Sequence, residues 1–185
     1  MDSIHSIRKE IVLHQGLLIY WQCLNYEPMV KVYGKKPMER REIATMLGEL
    51  GYSNFPFKHT DKGQPYLENS DQYLSISHSK GWFTLAISAA AVGVDIEPIR
   101  TSIEKGKSYF LNESESRQSF SLEELHVIWG AKEAIFKQLN GAISNLKQEV
   151  SVIEINAKTI LLDYQQQTYR FEYLFIQEVC LVWSI

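Results

Sequence analysis

The sequence predicts an α+β protein with two halves, each built from a small, mostly antiparallel sheet and one long helix. Several short stretches alternate polar and apolar residues with the period of two that is typical of strands. Two longer stretches repeat apolar residues with the helical period of 3.6. The elements follow in the order strand, helix, strands, helix, strands, which is typical of the α+β class.

In the first half, residues 17–24 form a continuous apolar run, as expected for a strand buried on both faces. A helix is predicted from Pro37 to Leu50, because apolar residues recur at i, i+3, i+4 and i+7 from Ile43. Three short strands follow, around residues 74–77, 83–88 and 92–97. Pro98 ends the third strand, since proline cannot donate a ladder hydrogen bond.

The second half opens with a polar segment, predicted to be helical, that ends near Glu115. Ser121 and Glu124 have the spacing of a capping box, which predicts a helix running to about Leu139, with Gly141 as its stop. Four strands are predicted after it, at roughly 150–155, 160–164, 168–176 and 179–184. The predicted halves are residues 1–97, which include the third strand, and residues 98–185.

Charge and composition exclude several classes of protein. The formal net charge is −3 and no long basic run occurs, so neither nucleic acid nor a membrane is an expected partner. The N-terminus lacks a secretory apolar segment and no membrane-length apolar run occurs, so the expected location is the cytoplasm. Cys23 and Cys180 are predicted to be buried free thiols, although a single long-range disulfide is the alternative.

Two carboxylates share one strand face in the segment Gly93-Val-Asp95-Ile-Glu97, because strand side chains alternate. Neighbouring carboxylates repel each other if both are charged and dry. They are tolerated if they are exposed, if one is protonated, or if a divalent cation lies between them. Mg²⁺ commonly takes one or two carboxylates together with phosphate oxygens. The alternative is that both carboxylates lie on a solvent-exposed strand face, which is the favoured interpretation of an isolated D-x-E motif.

On the predicted second helix, Trp129, Glu133 and Lys137 lie one above another at i, i+4 and i+8. Glu133 and Lys137 could form an ordinary surface ion pair, but the bulky Trp129 indicates that this stripe is not freely exposed. His78 lies between two serines at the end of a strand, where it could donate to a phosphate, act as a base, or simply be a satisfied strand-end residue. No G-x-S-x-G segment accompanies it, which argues against a serine hydrolase.

Taken together, these segments occur in a specific order within residues 63–137: GQPYL, SISHS, VGVDIE, FLNESE and WGAKEAIFK. In this order the chain resembles the 4'-phosphopantetheinyl transferase superfamily, in particular the single-chain, two-half type that activates peptide and polyketide synthases. The resemblance implies two halves related by pseudo-two-fold symmetry in a monomer. It also implies transfer of the 4'-phosphopantetheine group from coenzyme A to a serine of an apo carrier protein.

The resemblance also assigns residues to roles. The implied metal ligands, for Mg²⁺ with Mn²⁺ as an alternative, are Asp95, Glu97 and Glu133. The implied catalytic residues are Lys137 at the reacting phosphate and His78 at the nucleotide phosphates, and we add Glu133 as the candidate proton acceptor. Glu115 matches a family glutamate, and its role is left open. The residues expected to contact coenzyme A are Lys35, Lys36, Arg40, Arg41, Gln64, Pro65, Ser77, His78 and Lys137.

The chain departs from the family pattern at several positions. Gln64 replaces a lysine, Gly130 replaces a serine or threonine, and the helix lacks a second arginine after Arg41. These departures favour an alternative function, that of a non-catalytic relative that binds coenzyme A or docks a carrier protein. A third hypothesis is an unrelated magnesium phosphohydrolase. The identity of the carrier protein does not follow from the sequence.

Overall fold

The computed structural model of the chain describes residues 5–54 and 56–185. The chain divides into two compact units, Met1–Ala91 and Val92–Ile185. Each unit contains an antiparallel sheet and one long helix. The predicted α+β class is therefore confirmed, while the predicted pseudo-two-fold symmetry between the halves stays a prediction.

The first unit is built around a four-stranded antiparallel sheet with the strand order β1-β2-β6-β5 and a separate β3-β4 hairpin. Its elements are β1 (His5–Leu13), β2 (Gly16–Cys23), α1 (Tyr26–Tyr33), α2 (Lys35–Glu49), β3 (Phe57–His59), β4 (Pro65–Leu67), β5 (Tyr73–Ser79) and β6 (Trp82–Ser88). One core joins α2 to the sheet, with Met38 and Met46 of the helix packed against Trp21, Phe83 and Leu85 of the strands.

The predicted strand and helix of this unit are both present. Strand β2 is buried on both faces, because its successive residues 18–21 are almost completely inaccessible. Helix α2 begins two residues earlier than predicted, so that Pro37 lies in its first turn, where a proline is tolerated. Strand β1 and helix α1 were not predicted from the sequence. Strand β1 carries charged residues along the edge of the sheet, a device that natural edges use against unwanted pairing.

The second unit contains a five-stranded antiparallel sheet with the order β7-β11-β10-β9-β8. Its elements are β7 (Val94–Pro98), α3 (Ser102–Gly106), α4 (Leu122–Gln138), α5 (Leu146–Glu149), β8 (Val150–Ile155), β9 (Thr159–Tyr164), β10 (Gln167–Ile176) and β11 (Val179–Ser184). Helix α4 packs on β7 and β11. Apolar residues of α4, including Ile128, Ala131 and Ile135, share a core with Phe171 and Val182 of the sheet.

The start of helix α4 and the four final strands agree closely with the sequence prediction. The Ser121 side chain accepts a hydrogen bond from the Glu124 amide at 3.1 Å, and the Glu124 carboxylate accepts one from the Ser121 amide at 2.7 Å. This reciprocal capping box satisfies two amides at the helix start. The polar segment before it is less helical than predicted, since it contains only the short α3 and two 3-10 turns, Lys107–Tyr109 and Glu115–Arg117.

The strand that carries Asp95 and Glu97 belongs to the second unit, not to the first half as predicted. Strand β7 pairs along its length with β11, so its sheet hydrogen bonds are formed with the last strand of the second unit. The boundary between the units therefore lies between Ala91 and Val92, ahead of the predicted one after residue 97.

Two expectations from composition can be compared with the described residues. Cys23 and Cys180 are both buried free thiols, as predicted. Within residues 5–54 and 56–185, no helix combines the length and the apolar character needed to cross a bilayer.

Candidate active site

The predicted metal ligands all lie where strand β7 approaches helix α4. Gly93 permits this approach, because a Cβ atom at that position would lie 1.9 Å from the carbonyl oxygen of Ala134 on the helix. Just beyond Gly93, the alternation of the strand places Asp95 and Glu97 on one face. Glu133 lies on α4, one residue before Ala134. The glycine of the VGVDIE segment thus brings the carboxylates of the strand towards the helix.

Lys137 donates its hydrogen bonds to the strand rather than to Glu133. Its Nζ donates hydrogen bonds to Asp95 Oδ1 at 2.7 Å and to the Val94 carbonyl oxygen at 2.9 Å. Asp95 is buried, and the Lys137 side chain is only 24% exposed. Two bonds to one strand hold the ammonium group in place, so the ordinary surface pair between Glu133 and Lys137 is not what the structure shows.

The carboxyl group of Glu133 lies in an electrostatically unfavourable position for a negative charge. Burial raises its pKa above the ordinary value, and the charges of Asp95 and Glu97 raise it further. Lys137 acts in the opposite direction. The three carboxylates are therefore close enough to influence one another, and a group with a raised pKa is a better proton acceptor.

Glu97 is held by an arginine that the sequence analysis did not single out. Arg100 Nη2 donates to Glu97 Oε2 at 2.9 Å, and the Arg100 amide donates to Nε2 of the buried His126 at 3.2 Å. The other ring nitrogen of His126 donates to the Leu122 carbonyl oxygen at 2.8 Å. His126 thus acts as a buried structural residue. The i, i+3 spacing of Glu97 and Arg100 in the sequence could have indicated this ion pair.

A cavity of about 410 Å³ lies beside this ion pair. Glu97 and Arg100 line it together with the buried Phe110 and the ring of Trp129, whose centroids are 5.4 Å apart. The exposed Tyr109 adds a further aromatic side chain to the wall. Trp129 is half-buried in the core, in agreement with the expectation that this stripe of α4 is not freely exposed.

The chemistry of the three carboxylates suits a hard divalent cation, since all of them supply oxygen donors and their charges raise the pKa of Glu133. In their present arrangement, however, Lys137 holds Asp95 and Arg100 holds Glu97. Within the described part of the chain, no group of three acidic, histidine or cysteine side chains is arranged to hold a metal ion. A divalent cation bound at these residues would compete with Lys137 and Arg100 for the two carboxylates.

Glu115, whose role was left open, forms a buried ion pair with Lys132, next to Glu133. Lys132 Nζ donates to Glu115 Oε2 at 2.7 Å and to the Phe110 carbonyl oxygen at 2.8 Å. The carboxylate also accepts hydrogen bonds from the amides of Asn112 at 2.9 Å and Val152 at 2.8 Å. Both side chains are almost completely inaccessible. The pair therefore connects the FLNESE segment to both α4 and β8.

Gly130, which replaces the family hydroxyl residue, also has a packing role. A Cβ atom there would lie 2.7 Å from Val182 Cγ2, which is too close for a real contact, and 3.7 Å from Asp95 Oδ2. Val182 on β11 therefore fills the space that a larger residue at position 130 would need. The departure from the family pattern accompanies a specific contact between α4 and the sheet.

In the first unit, the structure places His78 against helix α2. Its Nδ1 lies 3.3 Å from Oε1 of the buried Glu39, and its ring packs on Phe83 with the centroids 5.7 Å apart. Ser77, predicted to share a ligand with His78, is buried on the opposite face of β5. Strand geometry thus separates the two side chains.

The other residues expected to contact coenzyme A lie at two places in the first unit. Lys35, Lys36, Arg40 and Arg41 are all exposed on α2, with Lys35 Nζ 3.8 Å from Glu39 Oε1. Gln64 and Pro65 are half-buried at the turn between β3 and β4, where the Gln64 amide donates to Thr60 Oγ1 at 3.2 Å.

Comparison with known families identifies the second unit. Residues 91–182 match the family model of the 4'-phosphopantetheinyl transferase superfamily. This span contains the carboxylates of β7 and α4, together with Lys137, whereas His78 and the basic residues of α2 lie outside it. No curated protein matches the chain. The chain thus contains, at residues 91–182, a domain of the 4'-phosphopantetheinyl transferase superfamily, and this domain corresponds closely to the second unit.

Proposed function

We propose that the protein transfers the 4'-phosphopantetheine group of coenzyme A to a serine hydroxyl of an apo carrier protein, in a reaction that depends on Mg²⁺ and releases 3',5'-ADP. Membership of the superfamily supports phosphopantetheine transfer in general. The observation that carries the specific proposal is the meeting of Asp95, Glu97, Glu133 and Lys137 between β7 and α4. Three mutually repelling carboxylates beside a lysine form a setting suited to a cation and a phosphate.

In the proposed reaction, the serine oxygen forms a bond to the β-phosphorus of coenzyme A, and the bond from this phosphorus to the oxygen that bridges to the α-phosphate breaks. The 3',5'-ADP carries away that bridging oxygen. Glu133 accepts the serine proton. Lys137 leaves Asp95 to contact the reacting phosphate, where its charge stabilises the transition state. When bound by Asp95, Glu97 and Glu133, Mg²⁺ would supply positive charge to the phosphate oxygens.

The first unit is proposed to bind the nucleotide end of coenzyme A. Arg41 and Arg40 are exposed on α2, while His78 is partly exposed and rests on the same helix through Glu39. These side chains offer hydrogen-bond donors for phosphate oxygens. The monomeric state, the cytoplasmic location and the single-chain, two-half subtype stay predictions.

The decisive experiment incubates the protein with coenzyme A, Mg²⁺ and a panel of apo carrier proteins, and measures the intact mass of each carrier. We expect at least one carrier to gain the mass of one phosphopantetheine group. A carrier with its acceptor serine changed to alanine is the matched control, and should remain unmodified. Absence of transfer to every carrier in the panel, from a protein that binds coenzyme A, would contradict the proposed activity.

A second candidate is a non-catalytic relative that binds coenzyme A or docks a carrier protein. It is favoured by the ion pairs that hold Asp95 and Glu97, and by the replacement of the family hydroxyl residue by Gly130. The same mass measurement separates the two candidates, provided that coenzyme A binding is measured in parallel by calorimetry. Binding without transfer would favour the second candidate.

A further inference from the structure

Helix α2 buries a carboxylate at a position where its pattern calls for an apolar side chain. Glu39 lies one turn before Ile43 on the face that packs against the sheet, and it is only 8% exposed. A buried carboxylate is unfavourable unless hydrogen bonds and positive charge compensate for its lost hydration. Such a residue on a core face therefore needs a reason beyond packing.

The partners of Glu39 converge on one of its oxygens. Oε1 accepts a hydrogen bond from the Tyr26 hydroxyl at 3.1 Å, lies 3.3 Å from Nδ1 of His78, and is 3.8 Å from Nζ of Lys35. Burial raises the pKa of Tyr26 to about 12, and the charge of Glu39 contributes to this shift. Tyr26 therefore keeps its proton at any physiological pH and remains a hydrogen-bond donor to Glu39.

This arrangement fixes the orientation of the His78 ring. An ionised carboxylate only accepts hydrogen bonds, so Nδ1 of His78 must be the nitrogen that carries the proton towards Glu39. Phe83 packs against the ring at a centroid distance of 5.7 Å, which restrains it further. Nε2 is then directed to the opposite side of the ring, and the His78 side chain is 34% exposed.

We propose that Glu39 is a positioning residue that, supported by Tyr26, orients His78 so that its Nε2 edge binds the phosphate groups of coenzyme A. This inference rests on the proposed function, in which His78 contacts the nucleotide. It adds a requirement that the sequence motifs do not contain. The buried carboxylate on α2 and the hydroxyl on α1 form the second layer of that phosphate site.

Glu39→Gln tests the proposal because it removes the charge and keeps the shape of the side chain. Two quantities are measured on the full chain: the ¹⁵N chemical shifts of the His78 ring nitrogens without ligand, and the dissociation constant for coenzyme A by calorimetry. We expect the His78 shifts to change and the dissociation constant to rise roughly five- to tenfold, as for a weakened charge-assisted hydrogen bond. Tyr26→Phe, which removes only the hydroxyl, should raise it about twofold to threefold by the same reasoning.

The chain offers a matched control on the same helix. Glu42 is also buried, at 4% exposure, and accepts a hydrogen bond from Trp21 Nε1 at 3.2 Å. Glu42→Gln should leave the His78 shifts and the affinity for coenzyme A within about twofold of the wild type, a difference well below one charged hydrogen bond. An equal loss of affinity in Glu42→Gln would show that any buried charge on α2 matters, and would overturn the specific role of Glu39.

His78→Gln separates failure of this inference from failure of the proposed function. If His78→Gln weakens coenzyme A binding but Glu39→Gln and Tyr26→Phe do not, Glu39 is not a positioning residue, while the role of His78 stands. Unchanged His78 shifts in Glu39→Gln would likewise overturn the inference. If His78→Gln binds coenzyme A as tightly as the wild type, the contact between His78 and the nucleotide is wrong, and the inference falls with it.

Discussion

Replacing Lys137 with alanine should have opposite effects on metal binding and on catalysis. In the structure, Lys137 is the cation that faces Asp95 Oδ1 at 2.7 Å. Removing one partner of a fully buried ion pair costs about 3–5 kcal/mol. Because the Lys137 side chain is 24% exposed, water can replace part of its interaction, and we expect a loss of about 2–3 kcal/mol in unfolding free energy without divalent cations.

The assay is thermal unfolding with and without Mg²⁺ or Mn²⁺, combined with kinetics. For a protein of this size, the expected loss lowers the melting temperature by roughly 4–12 °C in the presence of a chelator. The added divalent cation should stabilise the variant more than the wild type, because no ammonium group then competes for Asp95. The turnover number should fall by about a hundredfold, with a smaller effect on coenzyme A binding. Lys158→Ala, which removes an exposed lysine of the same unit, serves as the control.

Three results would each contradict part of this reasoning. A cost of only a few tenths of a kcal/mol would mean that Lys137 forms an ordinary surface pair in solution. Equal stabilisation of the wild type and the variant by the divalent cation would mean that Lys137 and the metal do not share Asp95. Unchanged turnover would separately exclude Lys137 from the reaction.

Four further predictions concern Asp95, Glu133, Arg41 and Gly130. Asp95→Ala, or excess chelator, should abolish carrier modification measured by intact mass, and full activity in either case would exclude the metal site. Because folding raises the pKa of Glu133 above its ordinary 4.5, ionising this group costs stability as the pH rises. Glu133→Gln should therefore raise the melting temperature at pH 7 in chelator but not below about pH 4. Arg41→Ala should weaken coenzyme A binding roughly ten- to a hundredfold and remove discrimination against dephospho-coenzyme A, and a variant that still discriminates would place the 3'-phosphate contact elsewhere. Gly130→Ser should cost about 1–3 kcal/mol through overpacking, and Val182→Ala in the same chain should recover part of that loss in a denaturant titration.

The regular elements could be predicted where burial of one or both faces gives a segment a strong apolar pattern. Strand β2, the capped helix α4 and the last four strands are of this kind. Strand β1 and helix α1 were missed because the first is a charged edge strand and the second is short and contains Pro28. The sheet to which β7 belongs could not be predicted either, since its partner β11 lies at the other end of the unit.

The candidate site, too, could be predicted from the sequence only in part. Residue types and motif order point to Asp95, Glu97 and Glu133, because strand and helix periods are local. Glu97 has a local partner in Arg100, three residues later, but the other contacts join residues that are distant in sequence. Lys137 lies 42 residues from Asp95, and Arg100 is oriented by His126, 26 residues away. Glu39 could have been singled out from the sequence, because it places a charge on the apolar face of a predicted helix.

The pairing of β7 with β11 has a consequence for how the protein is made. Residues 94–98 leave the ribosome long before residues 179–183, so the strand that carries Asp95 emerges without its only paired neighbour in the described sheet. Contacts between residues so distant in sequence form late in folding. Until then, β7 presents unpaired amide and carbonyl groups beside two acidic side chains, whose charges oppose association with another strand. The carboxylate site would therefore form only when synthesis of the second unit is nearly complete.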